Sequence, residues 1–477
     1  MYAAPTSAAS TMETTPNLKV IIVGAGIGGL TCAIACRRES FEVVVLERAS
    51  RIVPMGAGMQ IPPNGVKVAR QLGFLDALRR VATTPEAVEL RRYDSGRRLC
   101  CGAGLTAERC RQYYGDPWMV VHRADLHGAL WRTCRELGVG LDLNMHVERV
   151  DVANGTVYME DGDEISGHVI VGADGPRSVC RAQLLQTPSP LIDTGDVAYR
   201  AVLPLEHLKA LNDPGVDDLC AQNRVTTWLG PNQHAVLYSV RGGREFNLVL
   251  IRSDRGEPEK PHEGGDAGEM RDCFAGWDEI LNKIMSLAPR VQKWKICTPP
   301  KVDQVSRGCF AILGDALHSN LPYQAQGAAM AMEDGAFLGK LLGRAKDHVL
   351  RGRGDALDPD DADSSESRLR DEHTGEPALT KLVPAVLEAY GAARDTRASA
   401  AVRGEGRTEP VRKWLHLPDG PEQEARDAAL SQTDEGDSPD RSAWRDGCRS
   451  LLGYDVVKEV DEVAAAVLEV MTIKAPQ

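Results

Sequence analysis

Leu18-Lys19-Val20-Ile21-Ile22-Val23-Gly24-Ala25-Gly26-Ile27-Gly28-Gly29 sets the architecture of this chain. Leu18 to Val23 is short, apolar and β-branched, which suits a buried parallel strand. Gly24 to Gly29 reads G-x-G-x-x-G, and the Ala- and Cys-rich run Leu30 to Arg38 has helical length. Phe41 to Leu46 is a second β-branched run, closed by Glu47. Strand, glycine turn, helix and strand make a βαβ unit. Gly24 permits the tight turn, Gly26 lets backbone N–H groups approach a pyrophosphate, and Gly29 lets the helix sit close on the strand. The helix N-terminus favours the pyrophosphate anion. Glu47 falls about 20 residues on, where an acid accepts hydrogen bonds from ribose hydroxyls. The plain alternative is a glycine-rich turn without a ligand. The motif does not separate NAD from FAD. No second copy exists, since Gly102-Ala103-Gly104 lacks the third glycine and a preceding strand. One permanent dinucleotide domain fits bound FAD with a transient nicotinamide donor.

The 477 residues amount to about three domains at about 150 residues each. Apolar residues are 43% and charged residues 26%, ordinary globular usage that excludes collagen-like and wholly disordered chains. Lys plus Arg number 56 against 68 Asp plus Glu, a net charge of −12. Such a chain has no general pull toward nucleic acid or anionic membrane; a local basic pocket for an anionic ligand stays open. Twelve cysteines without a C-x-x-C spacing indicate no zinc ribbon and no thioredoxin-type site, and no metal site is expected. Met1 to Pro16 lacks the basic start and apolar stretch of a signal peptide, and no run of about 18 apolar residues marks a membrane span. The expectation is a cytoplasmic protein with reduced thiols.

Further along, Ala87 to Trp118 reads as irregular, Val120 to Leu137 as a short strand and a helix, and Val147 to Val171 as hairpin strands. Strand-like runs recur between Ala198 and Ile251, and Phe310 to Leu313 is one more buried strand. Ala328 to Leu342 reads as a helix. Residues 355–377, crowded with Asp, Ser, Arg and Gly, read as a disordered insertion. Helical text returns at Leu379 to Val402, Pro421 to Asp446 reads as polar and irregular, and a terminal helix is expected over Asp455 to Met471.

Val169-Ile170-Val171-Gly172-Ala173-Asp174-Gly175 and Ala311-Ile312-Leu313-Gly314-Asp315-Ala316-Leu317-His318 are each a buried-strand run ending in a small residue and an acid. Ligands in open α/β sheets bind beyond the carboxyl ends of strands, where Asp174 and Asp315 could accept hydrogen bonds from sugar or ribityl hydroxyls. The plain alternatives are a simple turn at Asp174-Gly175 and a helix N-cap at Asp315.

Taken together, the motifs resemble the single-component FAD-dependent aromatic hydroxylases of the para-hydroxybenzoate hydroxylase fold, and above all the salicylate hydroxylase-like branch that includes fungal monooxygenases. The residues that carry the resemblance are Gly24 to Gly29 with Glu47, Gly56-Ala57-Gly58 with Pro63-Asn64-Gly65, His122-Arg123-Ala124-Asp125-Leu126, and Gly172-Ala173-Asp174-Gly175. Gly314-Asp315-Ala316-Leu317-His318 follows, continuing through Gln326-Gly327-Ala328 to Glu333-Asp334. The resemblance spans about residues 18–400 and implies an α/β fold: a Rossmann-like FAD-binding domain (17–85, 119–183 and 300–345), an inserted mixed-sheet substrate domain (86–118 and 184–299) and C-terminal helices (379–477), after a flexible leader (1–16). It implies that Gly24, Gly26 and Gly29 take the pyrophosphate, Glu47 the adenosine ribose, and Asp315 the ribityl chain. Gly58 would lie near the flavin end, Arg123 would contact FAD, and the helix opened by Gly327-Ala328 would face the flavin N1/O2 edge. Asp174 would take part in FAD and nicotinamide handling. Arg200 and Tyr238 would grip a phenolate; the plain alternatives are a surface ion pair and a core tyrosine. His318 reads as a proton relay or, more plainly, as a satisfied histidine.

The implied reaction is NAD(P)H- and O2-dependent hydroxylation of a phenolic, salicylate-like or polyketide substrate in secondary metabolism, through a flavin C4a-hydroperoxide. The donor is NADPH or NADH, and the enzyme is expected as a monomer or homodimer with no nucleic-acid partner. The rival readings are an indole alkaloid epoxidase or hydroxylase, a flavin reductase or halogenase (Trp294-Lys295-Ile296 is only a fragment of a halogenase motif), and a non-enzymatic FAD-binding scaffold.

Overall fold

Val20, Ile21 and Ile22 are wholly buried, as a central strand covered on both faces requires. They belong to a computed structural model that describes residues 18–52, 56–101, 105–253, 264–288, 290–352, 378–400, 408–432 and 450–473. The strand Lys19–Val23 pairs in parallel with Glu42–Glu47 on one side and Val169–Gly172 on the other. Gly140–Leu143 and Phe310–Ile312 extend the sheet in parallel, and Ser306–Arg307 closes one edge antiparallel. The helix Ile27–Arg38 follows the glycine turn, and the helix Gly327–Gly352 packs along it. The latter runs well past the expected Leu342.

A second sheet has eight strands. Its middle holds Ile192–Pro204, Glu245–Ser253, Gln233–Val240 and Arg224–Gly230. One face buries Tyr199, Trp228, Leu248 and Leu250 against Met270, Phe274, Leu281 and Ile284 of the covering helices. The opposite face turns toward the dinucleotide domain. A small sheet of Gly58–Ile61, Met119–His122 and Ala82–Thr83 stands between the two.

Two readings are corrected. Ala87 to Trp118 is not irregular: Ala87–Arg92 and Arg98–Cys101 are strands of the large sheet, and Ala107–Tyr114 is a helix capped by the Thr106 hydroxyl. Period-2 alternation is masked there because Glu89 is buried through pairing with Arg224 and Arg91. Pro421 to Asp446 is not irregular throughout: Pro421–Ser431 is a helix. Its inner side carries Arg426 and Asp427, which pair with each other, beside Leu430, so a polar sequence still finds a buried face. The leader 1–16, the insertion 355–377 and the Gly102-Ala103-Gly104 turn lie outside the described residues.

Candidate active site between the two sheets

The dinucleotide end is built by close packing. Gly24 adopts φ +107°, and a Cβ there would lie 2.4 Å from the Ala173 carbonyl oxygen. A Cβ on Gly29 would strike the Gly24 carbonyl at 2.1 Å, so the helix rests directly on the turn. Gly26, by contrast, meets nothing nearer than 3.9 Å and begins the helix with no side-chain cap. Its flank is open, and the first-turn N–H groups are available to an anion. Glu47 Oε2 accepts from the Ala25 N–H at 2.9 Å and Oε1 from the Ala49 N–H at 2.9 Å. Each oxygen keeps capacity for a further donor, so Glu47 ends its strand oriented for diol hydroxyls. His127, within 2.7 Å of the Ala25 carbonyl, stacks on Trp131 and backs this corner.

Arg123 and Asp315 come together at the other end. The Arg123 stem covers Gly56, and its guanidinium is exposed with no side-chain partner among the described residues. Water reaches the Asp315 carboxylate, yet burial among neighbouring atoms raises its pKa, opposed by His318 and Arg123. A side chain that is wetted and also walled in lines an internal cavity. Asp315 therefore sits in a short turn, Gly314–Ala316, and does not cap a long helix.

Behind this wall lies a buried ionic network. His318 Nε2 is 2.7 Å from Asp334 Oδ2, which also accepts from the Gly314 N–H at 2.9 Å. Arg394 Nε donates to Asp334 Oδ1 at 2.6 Å, while Arg394 and Arg397 both donate to Glu333. Burial alone would raise the Asp334 pKa; His318 and Arg394 hold it well below the usual carboxylate range instead. Asn64 donates to both Gln326 and Glu333, which explains the Pro63-Asn64-Gly65 motif. Arg394 and Arg397 carry no role in the sequence reading. The available signal was an adjacent acid pair, Glu333-Asp334, inside the apolar first half of a helix.

Several buried polar atoms have no protein partner: His318 Nδ1, both polar atoms of Asn320, Gln326 Nε2 and Asn64 Oδ1. Gly327, which opens the long helix, borders them; a Cβ there would meet only Asn320, at 4.0 Å. Unsatisfied donors and acceptors beside a helix N-terminus fit a flat heterocycle that carries carbonyl and ring-nitrogen groups. The residues present therefore fit the flavin of FAD, with Glu47 and the glycine turn at its adenosine end and Gly327 and Ala328 at its ring.

Arg200 and Tyr238 share the inward face of the large sheet. Arg200 pairs across to Val249, Val249 to Val236, and Tyr238 lies two residues on, opposite Asn247. Burial lowers the Arg200 pKa, Arg123 adds to this, and Tyr238 opposes it. Burial raises the Tyr238 hydroxyl, and Arg200 opposes that. The two are thus near each other, and Arg200 is also near Arg123. Arg200 has no carboxylate partner among the described residues, so it is not in an ion pair. The Tyr238 ring packs with Val120, Val225 and Val240. Gly58 touches that ring and donates its N–H to Asn247 Oδ1 at 2.7 Å. Ala198, Val236, Val249 and Ile251 add an apolar patch to this face.

Asp174 is placed differently. Its carboxylate accepts from the Ser178 hydroxyl and from the Cys180 N–H at 3.0 Å, closing the first turn of Val179–Leu185, while its backbone lies against Gly24. What the structure gives Asp174 is the support of the glycine turn.

A dinucleotide-binding α/β domain joined to a second sheet that carries a cationic, partly apolar face is the frame of a flavin-dependent oxidoreductase. Residues 17–366 match the family described as FAD binding domain. The chain is 34% identical over 457 residues to the FAD-dependent monooxygenase OpS4 of Beauveria bassiana, a match covering 94% of this chain and 97% of that one. It is 34% identical over 330 residues to 3-hydroxybenzoate 6-hydroxylase of Polaromonas naphthalenivorans, covering 68% of this chain and 79% of that one. A salicylate hydroxylase substrate complex has the same fold, with TM-score 0.69 at 22% identity over 94% of this chain and 98% of the other. So does CtdE in complex with FAD and a substrate, at TM-score 0.73 and 19% identity over 96% and 100%. This chain belongs to the family of FAD-dependent monooxygenases and aromatic hydroxylases, and FAD is its cofactor.

Proposed function

We propose that the enzyme hydroxylates an aromatic substrate that carries an ionisable ring oxygen, with NAD(P)H as electron donor, in secondary metabolism. The balance is ArH + O2 + NAD(P)H + H⁺ → ArOH + H2O + NAD(P)⁺. The observation that carries this reading is Arg200: a half-buried guanidinium, beside an apolar patch of the sheet, with no carboxylate partner among the described residues. A buried cation without a counter-ion is costly, and an anionic substrate oxygen would supply one. The guanidinium stays charged at any working pH.

The residues have separate tasks in this reading. Arg200 holds the ring oxygen as the anion, which leaves the ring carbons electron-rich. Tyr238, its pKa raised by burial, remains protonated and donates a hydrogen bond to the same oxygen. Val236 and Val249 keep water from the reacting face. Bound FAD supplies the transfer of two electrons from the donor and the activation of O2. The N-terminus of the helix Gly327–Gly352 carries unpaired N–H groups that would favour negative charge on the reduced ring.

The eleven described cysteines are free thiols, and no described helix is long and apolar enough to cross a membrane. We place the enzyme in the cytoplasm, where NAD(P)H is at hand. The test is a survey of phenols, hydroxybenzoates and indoles for stimulated NAD(P)H oxidation by the FAD-loaded enzyme. Stimulation by phenols with a product 16 mass units heavier, one oxygen, supports the reading; stimulation by indoles alone contradicts it.

A further inference from the structure

The chain beyond Arg407, to which the fold assigns no part of the cofactor site, reaches the substrate face through one aromatic residue. Tyr323 lies on the turn Pro322–Gln324, just ahead of the helix that begins at Gly327. Its half-buried ring packs against the cluster of Ala198, Val249 and Ile251. Ala198 is two residues from Arg200 along the strand, and Val249 is its cross-strand partner. Tyr323 thus stands over the same patch of sheet from the cofactor side.

Its hydroxyl donates to Asp196 Oδ2. Asp196 is buried and is held bidentately by Arg412 of the helix Thr408–Leu415, at 2.7 and 2.8 Å. Ser253 donates to the same carboxylate at 3.1 Å. One residue past that helix, His416 Nε2 lies 2.7 Å from His234 Nδ1, and the Tyr323 ring touches both imidazoles, with centroids 5.7 and 5.9 Å away. Asn232 donates its N–H to the His416 carbonyl at 3.1 Å. A C-terminal helix and the residue after it are therefore bolted to three strands of the large sheet and to Tyr323 at one point.

We infer that Tyr323 is a specificity-determining wall of the substrate cavity, and that Arg412, acting through Asp196, is the residue that positions it. This rests on the phenolate reading of Arg200. A ring oxygen held at Arg200 brings the substrate ring against Tyr323, so the fixed position of Tyr323 limits how large that ring system can be. The polar C-terminal segment then tunes substrate size without touching the substrate.

The experiment titrates FAD-loaded full-length enzyme with three anionic phenols of one, two and three fused rings, namely 3-hydroxybenzoate, 3-hydroxy-2-naphthoate and a hydroxyanthraquinone carboxylate. Kd is read from the perturbation of flavin absorbance. Tyr323→Ala is expected to weaken the ligand the wild type prefers by about tenfold and to move the preference toward the next larger ring system. Tyr323→Phe keeps the ring and is expected to hold the wild-type order, with less product per NAD(P)H consumed. Arg412→Ala is expected to shift the order in the direction of Tyr323→Ala, and Arg412→Lys to restore most of it. If Tyr323→Ala sheds FAD, Tyr323→Leu carries the same comparison. Unchanged Kd ratios in FAD-loaded Tyr323 variants overturn the inference while leaving the phenolate reading intact. If the wild type binds none of the three, the phenolate reading fails and this inference falls with it.

Discussion

Gly58 lies against the ring of Tyr238: a Cβ there would come within 2.8 Å of Cε2 and within 2.5 Å of the Asn247 Cβ. The strand Gly58–Ile61 and the eight-stranded sheet meet at this point with no room for a side chain. Gly58→Ala must force them apart, and overpacking of this kind costs about 1–3 kcal/mol. Denaturant unfolding is expected to show that loss, and the purified variant to carry less FAD per chain. Wild-type stability with full FAD would show that the contact yields freely.

Arg200→Ala removes the charge that we assign to the substrate anion. A hydrogen bond to a charged group contributes about 1.5–3 kcal/mol, so kcat/KM is expected to fall about 10- to 100-fold. Tyr238→Phe removes a neutral donor and is expected to cost about 3- to 10-fold. Steady-state kinetics with a responsive phenol reads both. FAD content should stay at the wild-type level, because neither side chain belongs to the residues that fit the dinucleotide.

Arg394→Ala strips a wholly buried cation from Asp334 and Glu333, both also wholly buried. Breaking such a network costs about 3–5 kcal/mol, since the remaining charges stay in the core unpaired. A large drop in the unfolding midpoint is expected, reached before any defect in substrate binding can be read. A midpoint near that of the wild type would mean that Arg397 suffices for both acids.

Acid should loosen the same molecule at a different place. Burial lowers the pKa of His234 to about 3, with His416 adding to it, and burial lowers His416 to about 4, with Asp196 opposing. Both imidazoles are neutral in the fold and take up protons more readily once unfolded, near the ordinary value of about 6.5. Between about pH 6.5 and 4 the unfolded chain binds more protons, so stability declines as pH falls through that window and is flat above it. Unfolding followed from pH 7.5 to 4.5 checks the sign, and His416→Phe should flatten the slope.

The cofactor half was legible because its signals are local. The turn from Gly24 to Gly29, Glu47 at the next strand end and the Gly314-Asp315 turn all lie where short-range spacing puts them. The pairing of Arg200 with Tyr238 came from resemblance, and the sheet register brings them to one face. What stayed hidden depends on partners far away in the chain. Arg394 and Arg397 lie about 60 residues beyond the acids that they neutralise, and Arg412 lies 216 residues from Asp196. Ala87–Arg92 escaped notice because Glu89 and Arg92 are buried as ion pairs, which no hydrophobic pattern records. Pro421–Ser431 escaped for the same reason, since its inner face holds Arg426 and Asp427.

The most direct measurement is isotopic. FAD-loaded enzyme, NAD(P)H and a phenol that stimulates NAD(P)H oxidation are incubated under ¹⁸O2, and the product is weighed. One ¹⁸O atom in the aromatic product, in wild type and at a much reduced rate in Arg200→Ala, is the predicted result. NAD(P)H oxidation that leaves the aromatic compound unlabelled and yields only peroxide or water, across every phenol that stimulates it, would contradict the account.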